Sequence, residues 1–399
     1  MELREVVIVD ALRTPLGKHG GILRNERPDD LASLVIKRLV KRSNLDSSLI
    51  DDVYFGCTNQ AGEDNRNVAR MAVLLSGLPT SVAGVTVNRL CGSGLEAINQ
   101  AANAIATGSC EIAIAGGVES MTRAPYVLAK PARPFERTPL IFDSTIGWRF
   151  VNPKMTKLYP PLSMGETAEN LAEKYRISRE EQDEFALQSH RKAVEATKSG
   201  KLKDEILPVA VSNGDVDATV EKDEGPRENT SLEALAKLKP IFRAGGTVTP
   251  GNSSPISDGA AGTLVMSRER CDQLGLKPLA KIIGSAVAGV DPSFMGIGPV
   301  PATRRILQRL GLGLEEMELV ELNEAFASQV LSVLKELPIR RERLNPNGGA
   351  IALGHPVGCS GARVAVTLVH EMKRRSSRYG LATLCIGVGQ GIATVFERP

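Results

Sequence analysis

Four residues stand where nucleophilic chemistry could be done. Cys91 ends the run Val85-Thr-Val-Asn-Arg-Leu-Cys and is followed at once by Gly92-Ser-Gly94. Leu95, Ile98, Ala101 or Ala102, and Ile105 then recur at three- and four-residue spacing, which places them on one helix face. Cys91 is therefore expected where a strand turns sharply into a helix. Backbone N–H groups and the positive helix end gather at such a turn and are expected to favour thiolate over thiol. The bland alternative is a small buried cysteine at an ordinary strand–helix turn. His355 lies in a glycine-rich loop, and Pro356 pushes it toward extended backbone. A neutral imidazole held there can take a thiol proton. Cys385 is followed by glycines at 387, 389 and 391. Alternating glycines either offer N–H groups to a ligand, as an oxyanion site needs, or let a strand pack closely against its neighbour. Asn323 falls at a strand-to-helix junction, where an N-cap is the ordinary role. The remaining histidines read differently: His190 and His370 as solvated helix residues, and His19 as part of a turn.

The elements that must hold these residues alternate. Residues 4–10 and 50–56 read as strands, 29–41 and 65–76 as helices, and 111–117 as an apolar strand ending in glycines. This is the pattern of an α/β layer architecture with a largely buried sheet. The alternation fades over 121–160, a proline-containing stretch with seven Lys/Arg and two acids. It reads as a solvated loop or as a lid for an anionic substrate. Ser178-Arg-Glu-Glu181 is a capping box that starts a helix running to about 198. Residues 213–229 are polar and read as a surface loop. The strand pattern returns at 262–266, so 121–249 is an insertion into the first α/β unit. A second series then follows: strand 279–290, helix 301–310, the junction 319–326, the loop 345–356, helix 360–373 and a terminal hairpin. Gly92-Ser-Gly94 and Cys359-Ser-Gly361 each open a helix followed by an apolar strand, which suggests a duplicated unit.

Composition sets bounds. The chain has 399 residues, enough for two or three structural units. A net charge of +3 is too small at this length to suggest nucleic acid or membrane partners. No apolar run reaches the ~18–20 residues of a membrane span. The first core strand begins almost at Met1, which leads to an expectation of no leader peptide and a cytoplasmic location. Six scattered cysteines without a CxxC pair suit a reducing compartment and neither a disulfide framework nor a zinc site.

Taken together, the motifs resemble the thiolases over residues 4–397. They are Asn88-Arg-Leu-Cys-Gly-Ser-Gly, Gly116-Gly-Val-Glu-Ser-Met, Asn323-Glu-Ala-Phe, Gly348-Gly-Ala-Ile-Ala-Leu-Gly-His-Pro-Val-Gly and Cys385-Ile-Gly-Val-Gly-Gln-Gly. The resemblance implies duplicated α/β units stacked α-β-α-β-α, with 1–275 as an N-terminal domain and 276–399 as a C-terminal one. The 121–249 insertion would be a loop domain covering coenzyme A. It implies thiolytic cleavage of a 3-oxoacyl-CoA, or the reverse condensation, through an acyl group on Cys91. His355 would activate Cys91, and Cys385 would be the general acid/base. Asn323, through a water, and His355 would polarise one oxygen; the N–H groups of Cys91 and Gly387 would hold the other. Coenzyme A contacts would fall on Met164, Arg227, Phe242, Ser254, Ala325 and Phe326. Coenzyme A and acyl-CoA enter as substrates, with no tightly bound cofactor or metal, and a homodimer or homotetramer is implied. Ser163 before Met164, the interrupting Val388 and Ile146-Gly-Trp-Arg-Phe150 resemble the degradative branch, including thiolases of 3-oxoadipyl-CoA. Arg149 or another basic loop residue would then meet a terminal carboxylate. A related condensing enzyme, an inactive acyl-CoA or lipid carrier and a cysteine protease are the competing readings. Cys385 in the terminal hairpin speaks against the first. The joint presence of Cys91, His355, Cys385 and Asn323 speaks against the carrier. A protease would leave Cys385 and the coenzyme A positions unexplained.

Overall fold

The computed structural model describes residues 3–212 and 217–399. The first unit runs β1 (Val6–Arg13), α1 (Pro28–Arg42), β2 (Asp52–Gly56), α2 (Val68–Leu75), β3 (Ala83–Val87), α3 (Ser93–Ala106) and β4 (Ile112–Ser120). The insertion carries the long helices α4 (Met164–Tyr175) and α5 (Arg179–Lys198), and β5 (Ser257–Ser267) completes the unit. The second unit is β6 (Ala280–Gly289), α6 (Pro299–Leu310), β7 (Leu319–Leu322), α7 (Ala327–Glu336), α8 (Val357–Arg375), β8 (Tyr379–Ile386) and β9 (Gln390–Glu397).

The duplication is visible strand by strand. In the first unit β3 and β2 are parallel, as are β2 and β4, while β4–β5 and β5–β1 are antiparallel. In the second, β7 is parallel to β8, and β8–β9 and β9–β6 are antiparallel. A single parallel pairing of Val320 with Leu344 stands where β3 would be. The two halves meet edge to edge through Val7 with Lys281 and Ile8 with Ala280.

Three apolar clusters separate the layers. Leu31 and Val35 of α1 and Val68 and Val73 of α2 pack on Val53, Phe55 and Ile114. Leu95 and Ile98 of α3 and Val366 and Val369 of α8 pack between the facing sides of the two half-sheets, with Ala115, Val265, Leu384 and Ile392. Ile306, Leu307, Val330 and Val333 cover the far side of the second half-sheet. The order is therefore helix, sheet, helix, sheet, helix. Helix α8 lies in the middle layer, and every residue from Gly358 to Met372 is buried. A helix in that place needs apolar or small residues on all sides. Each fully buried Val or Leu there contributes roughly 1.5–3 kcal/mol relative to exposure.

Strands β4 and β5 are direct partners, yet the whole insertion lies between them; β8 and β9, their counterparts, are joined by the turn at 387–389. The insertion thus occupies the place of a hairpin turn and leaves the sheet intact. Its helices start on capping boxes at Ser163–Glu166 and, as the sequence predicts, Ser178–Glu181. Three expectations change. Of the polar stretch 213–229, residues 213–216 lie outside the described residues, and Asp217–Val220 pairs as a strand with Val209–Ser212. Beyond it, the Asp223 side chain is fully buried against Arg13, which also holds Glu205 at 2.7 Å. At Asp223 polarity marks a buried ion pair, while 217–219, 221–222 and 227–229 are exposed, as a surface segment is. His190 and His370 are likewise buried, not solvated. His190 Nδ1 accepts the Arg227 N–H at 3.2 Å, and His370 Nε2 lies 2.9 Å from the Ala11 carbonyl.

Candidate active site

The turn between β3 and α3 presents Cys91 as the spacing predicts. Leu90 adopts φ +47°, outside the range a leucine normally prefers. Ser93 staples the turn, accepting the Arg89 N–H at 2.8 Å and donating to the Leu90 carbonyl at 2.6 Å. Such a held, unfavourable backbone projects the next side chain outward. Cys91 is the one partly exposed cysteine; the other five are buried. Burial pushes its thiol pKa up, the N–H groups of Gly387 and of Cys91 itself pull it back, and Glu119 pushes it up again. The net direction is upward, which corrects the expectation from the helix dipole. Desolvation outweighs the two N–H donors, so the resting group is a thiol that needs a base.

Cys385 stands at the end of β8, at the mouth of the hairpin. Its thiol is pushed far up by burial and then by the charge of Cys91, a coupling that requires the two sulfurs to be near neighbours. It is packed with Ala325, Phe326, Met295, Val248 and Ala168, and Met164 and Phe242 border the same cluster. The three alternating glycines divide between their two readings. A Cβ on Gly389 would come 2.3 Å from the Val290 carbonyl, and one on Gly391 2.0 Å from that of Gly298, so both serve close backbone packing. At Gly387 the nearest atoms would be Leu90 Cδ1 at 3.3 Å and Met164 Sδ at 3.5 Å. Only Gly387 faces the site.

His355 is buried, in the loop between the short helix Ala350–Leu353 and α8. Burial, with the Arg363 charge behind it, lowers its pKa to about 4, so the ring is neutral near pH 7. Asn323 Nδ2 sits 3.5 Å from each ring nitrogen, and its Oδ1 is buried without a partner. The N-cap of α7 is Phe326, so Asn323 does not cap the helix. Its neighbour Glu324 is fully engaged by Ser189 at 2.6 Å and Asn345 at 2.8 Å.

The structure therefore brings Cys91, Cys385, Gly387, Met164, Ala325 and Phe326 together, with Phe242 edge-on to Phe326 at 6.1 Å. Asn323 and His355 form the second pair, and Asn323 reaches β8 through its N–H to the Thr383 carbonyl at 3.0 Å. Ser254 donates its N–H to the Ala325 carbonyl at 3.0 Å. Arg227 is pinned by its backbone to His190, with its side chain exposed and no contact to this cluster. Sequence reasoning missed Glu119. Its carboxylate accepts from Thr58 N at 2.9 Å, Thr58 Oγ1 at 2.6 Å, Asn59 N at 3.1 Å and Gly358 N at 2.8 Å. It ties the loop after β2 to the start of α8, beside Cys91. An acid two residues beyond the glycines of an apolar strand was the available signal, and it lies within β4. A cavity of about 600 Å³, lined by Phe185, Ser189, Lys192, Glu324 and Arg341, contains none of the candidate residues. Among the described residues no cluster of His, Cys, Asp or Glu could hold a metal ion, and no helix is long and apolar enough to cross a membrane.

Comparison with known proteins adds names. Residues 6–269 match the thiolase N-terminal domain family and 276–398 the thiolase C-terminal domain family. A 3-oxoadipyl-CoA/3-oxo-5,6-dehydrosuberyl-CoA thiolase of Escherichia coli is 54% identical, over 99% of this chain and 100% of its own. A beta-ketoadipyl-CoA thiolase of Pseudomonas aeruginosa is 54% identical over 99% of each chain. Among solved structures, a Bacillus anthracis acetyl-CoA acetyltransferase superposes with TM-score 0.94 at 43% identity, covering 100% of both chains. Human mitochondrial 3-ketoacyl-CoA thiolase gives 0.93 at 40% identity, with the same coverage.

Proposed function

The chain belongs to the thiolase family and is an acyltransferase that cleaves 3-oxoacyl-CoA with coenzyme A; on that premise we propose how its residues divide the work and which substrate it takes. In the degradative direction His355 takes the Cys91 proton and the sulfur attacks the C3 carbonyl carbon. The C2–C3 bond breaks, and Cys385 protonates the departing acetyl-CoA enolate. The acyl group remains on Cys91 until the thiol of coenzyme A, deprotonated by the emptied Cys385, takes it away. Splitting the reaction lowers each barrier. Its high pKa makes Cys385 a neutral proton donor at rest, as the leaving enolate requires. The N–H groups of Cys91 and Gly387 serve the sulfur at rest. They serve the oxyanion once an acyl group is attached, each contributing ~3–4 kcal/mol. Asn323 and His355 serve the other oxygen, on the thioester of the acetyl unit; the unpartnered Asn323 Oδ1 suits a fixed water.

The observation that carries this reading is the meeting of a partly exposed thiol, an N–H donor from Gly387 and a second, deeply desolvated thiol at one hairpin. Incubation with acetyl-CoA followed by peptide mass spectrometry should place the acetyl group on Cys91. Labelling elsewhere, or none, would refute it.

For the substrate we favour 3-oxoadipyl-CoA, supported by the names of the relatives. Arg149 suits the terminal carboxylate: it is half-buried, without an acidic partner among the described residues, and donates only to the Ser144 carbonyl at 3.1 Å. Its loop is pinned on two sides of the site, by Trp148 Nε1 to the Leu162 carbonyl, two residues before Met164, and by Ser144 Oγ to Asn59, whose N–H rests on Glu119. A higher kcat/KM for 3-oxoadipyl-CoA than for 3-oxohexanoyl-CoA, lost in Arg149→Gln, is expected; equal values in the wild type would refute the substrate.

We assign 121–249 as the loop domain covering coenzyme A, with Met164, Phe242, Ser254, Ala325 and Phe326 along the pantetheine arm and Arg227 at its phosphate end. The boundaries 1–275 and 276–399 follow the duplicated topology. A homodimer or homotetramer suits the basic excursion, whose Tyr126, Phe135 and Leu158 are 77%, 97% and 72% exposed and would be covered by a neighbouring subunit. A cytoplasmic location suits the six free cysteines.

A further inference from the structure

The proposed base, His355, needs one ring nitrogen free of a proton, and the hydrogen bonds around the ring decide which. His355 Nδ1 lies 2.6 Å from Ser360 Oγ. The same hydroxyl lies 2.9 Å from the Pro356 carbonyl, four residues earlier on the first turn of α8, and donates to it. A serine hydroxyl has one proton and two lone pairs. With the proton directed at Pro356, the oxygen meets Nδ1 as an acceptor, and Nδ1 must be the protonated nitrogen. Nε2 then carries the lone pair. Ser360 is 1% exposed, so water does not compete for this bond. The His355 backbone is held separately, its N–H donating to Ser257 Oγ at 3.2 Å.

We propose that Ser360 is a positioning residue that sets the tautomer of His355, holding the proton on Nδ1 so that Nε2 receives the Cys91 proton. This rests on the reading of His355 as base. The proton moves from Cys91 Sγ to Nε2, giving a thiolate and an imidazolium that keeps its Nδ1–H on Ser360. The new Nε2–H is then the donor available to the substrate oxygen, so one nitrogen serves both steps in turn. Without Ser360 the ring would lose the acceptor that selects this tautomer.

The test uses the full-length protein labelled with 15N-histidine, with the His355 signals assigned by their loss in His355→Asn. Wild type should show a protonated Nδ1 and an unprotonated, pyridine-type Nε2. Ser360→Ala should mix the tautomers and slow Cys91 acetylation by acetyl-CoA by roughly 10- to 100-fold, the range known for outer partners of metal-ligating histidines, whose tautomer is fixed in the same way. Ser360→Thr, which keeps the hydroxyl, should restore both. An Nε2–H tautomer in the wild type, or acetylation of Ser360→Ala at the wild-type rate, would overturn the proposal. Were Ser360→Ala to misfold, the wild-type spectrum and Ser360→Thr still decide. Normal acetylation of His355→Asn would instead overturn the reading of His355 as base, whatever the tautomer.

Discussion

Replacing Glu119 by Gln should destabilise the protein and make Cys91 more reactive, two effects of opposite sense from one atom. The carboxylate accepts three donors on Oε2, from Thr58 N, Thr58 Oγ1 and Gly358 N, and the Asn59 N–H on Oε1 at 3.1 Å. A glutamine offers one acceptor oxygen. Kept at the Oε2 position, it leaves the amide nitrogen facing the Asn59 N–H, so one buried backbone donor loses its partner. That costs about 1–3 kcal/mol, a fall in Tm of roughly 1–4 °C for a chain of 399 residues, reduced to the extent that a buried charge no longer needs to be desolvated. The same substitution removes the negative charge that raises the Cys91 pKa. Below its pKa, each unit of decrease means about tenfold more thiolate. Alkylation by iodoacetamide, followed peptide by peptide against pH, should give a Cys91 midpoint shifted to lower pH. A lower Tm with an unmoved or raised midpoint would show that Glu119 acts only through its hydrogen bonds.

Other perturbations follow from the same geometry. His355 and His190 both fall from 6.5 to about 4 on burial. The unfolded chain therefore binds protons first, and stability, full above pH 6.5, is lost as pH falls from 6.5 through 4. Urea midpoints should drop over that window, less steeply in His190→Gln; parallel curves for the two proteins would contradict the assignment. Arg363 meets Glu321 through one bond of 3.1 Å, with both side chains 1% exposed and Arg363 Nε and Nη2 unpartnered. Arg363→Met should cost about 3–5 kcal/mol, and adding Glu321→Leu should recover most of it; a double variant no more stable than the single in urea would refute this. A Cβ on Gly117 would stand 2.2 Å from the Gly358 carbonyl. Gly117→Ala should therefore displace the start of α8 and lower stability by more than ~3 kcal/mol, read by soluble yield and Tm.

Much of this protein is written locally in its chain. The strand–cysteine–glycine–helix turn at Cys91, the capping box at Ser178 and the repeat of a glycine-opened helix before an apolar strand each depend on residues close in sequence. Spacing and turn chemistry are enough to read them. The motifs at Cys91, Asn323, His355 and Cys385 likewise carry the family, because residue type and order survive without coordinates. What depends on which segments meet in space was not legible. Nothing near Asp223 in sequence says that Arg13 will bury it, nor near His190 that the Arg227 N–H will cover its ring. Nothing near Gly389 and Gly391 shows that the Val290 and Gly298 backbones press on them and not on Gly387. The electrostatics of the nucleophile depended on this most. The helix start at Cys91 argued for thiolate, since a dipole is a local property. Desolvation is set by the surrounding layers, and with the Glu119 carboxylate it reverses that sign. Sequence alone determined which groups could react. The tertiary structure decided their protonation, because burial and distant charges act through space and not along the chain.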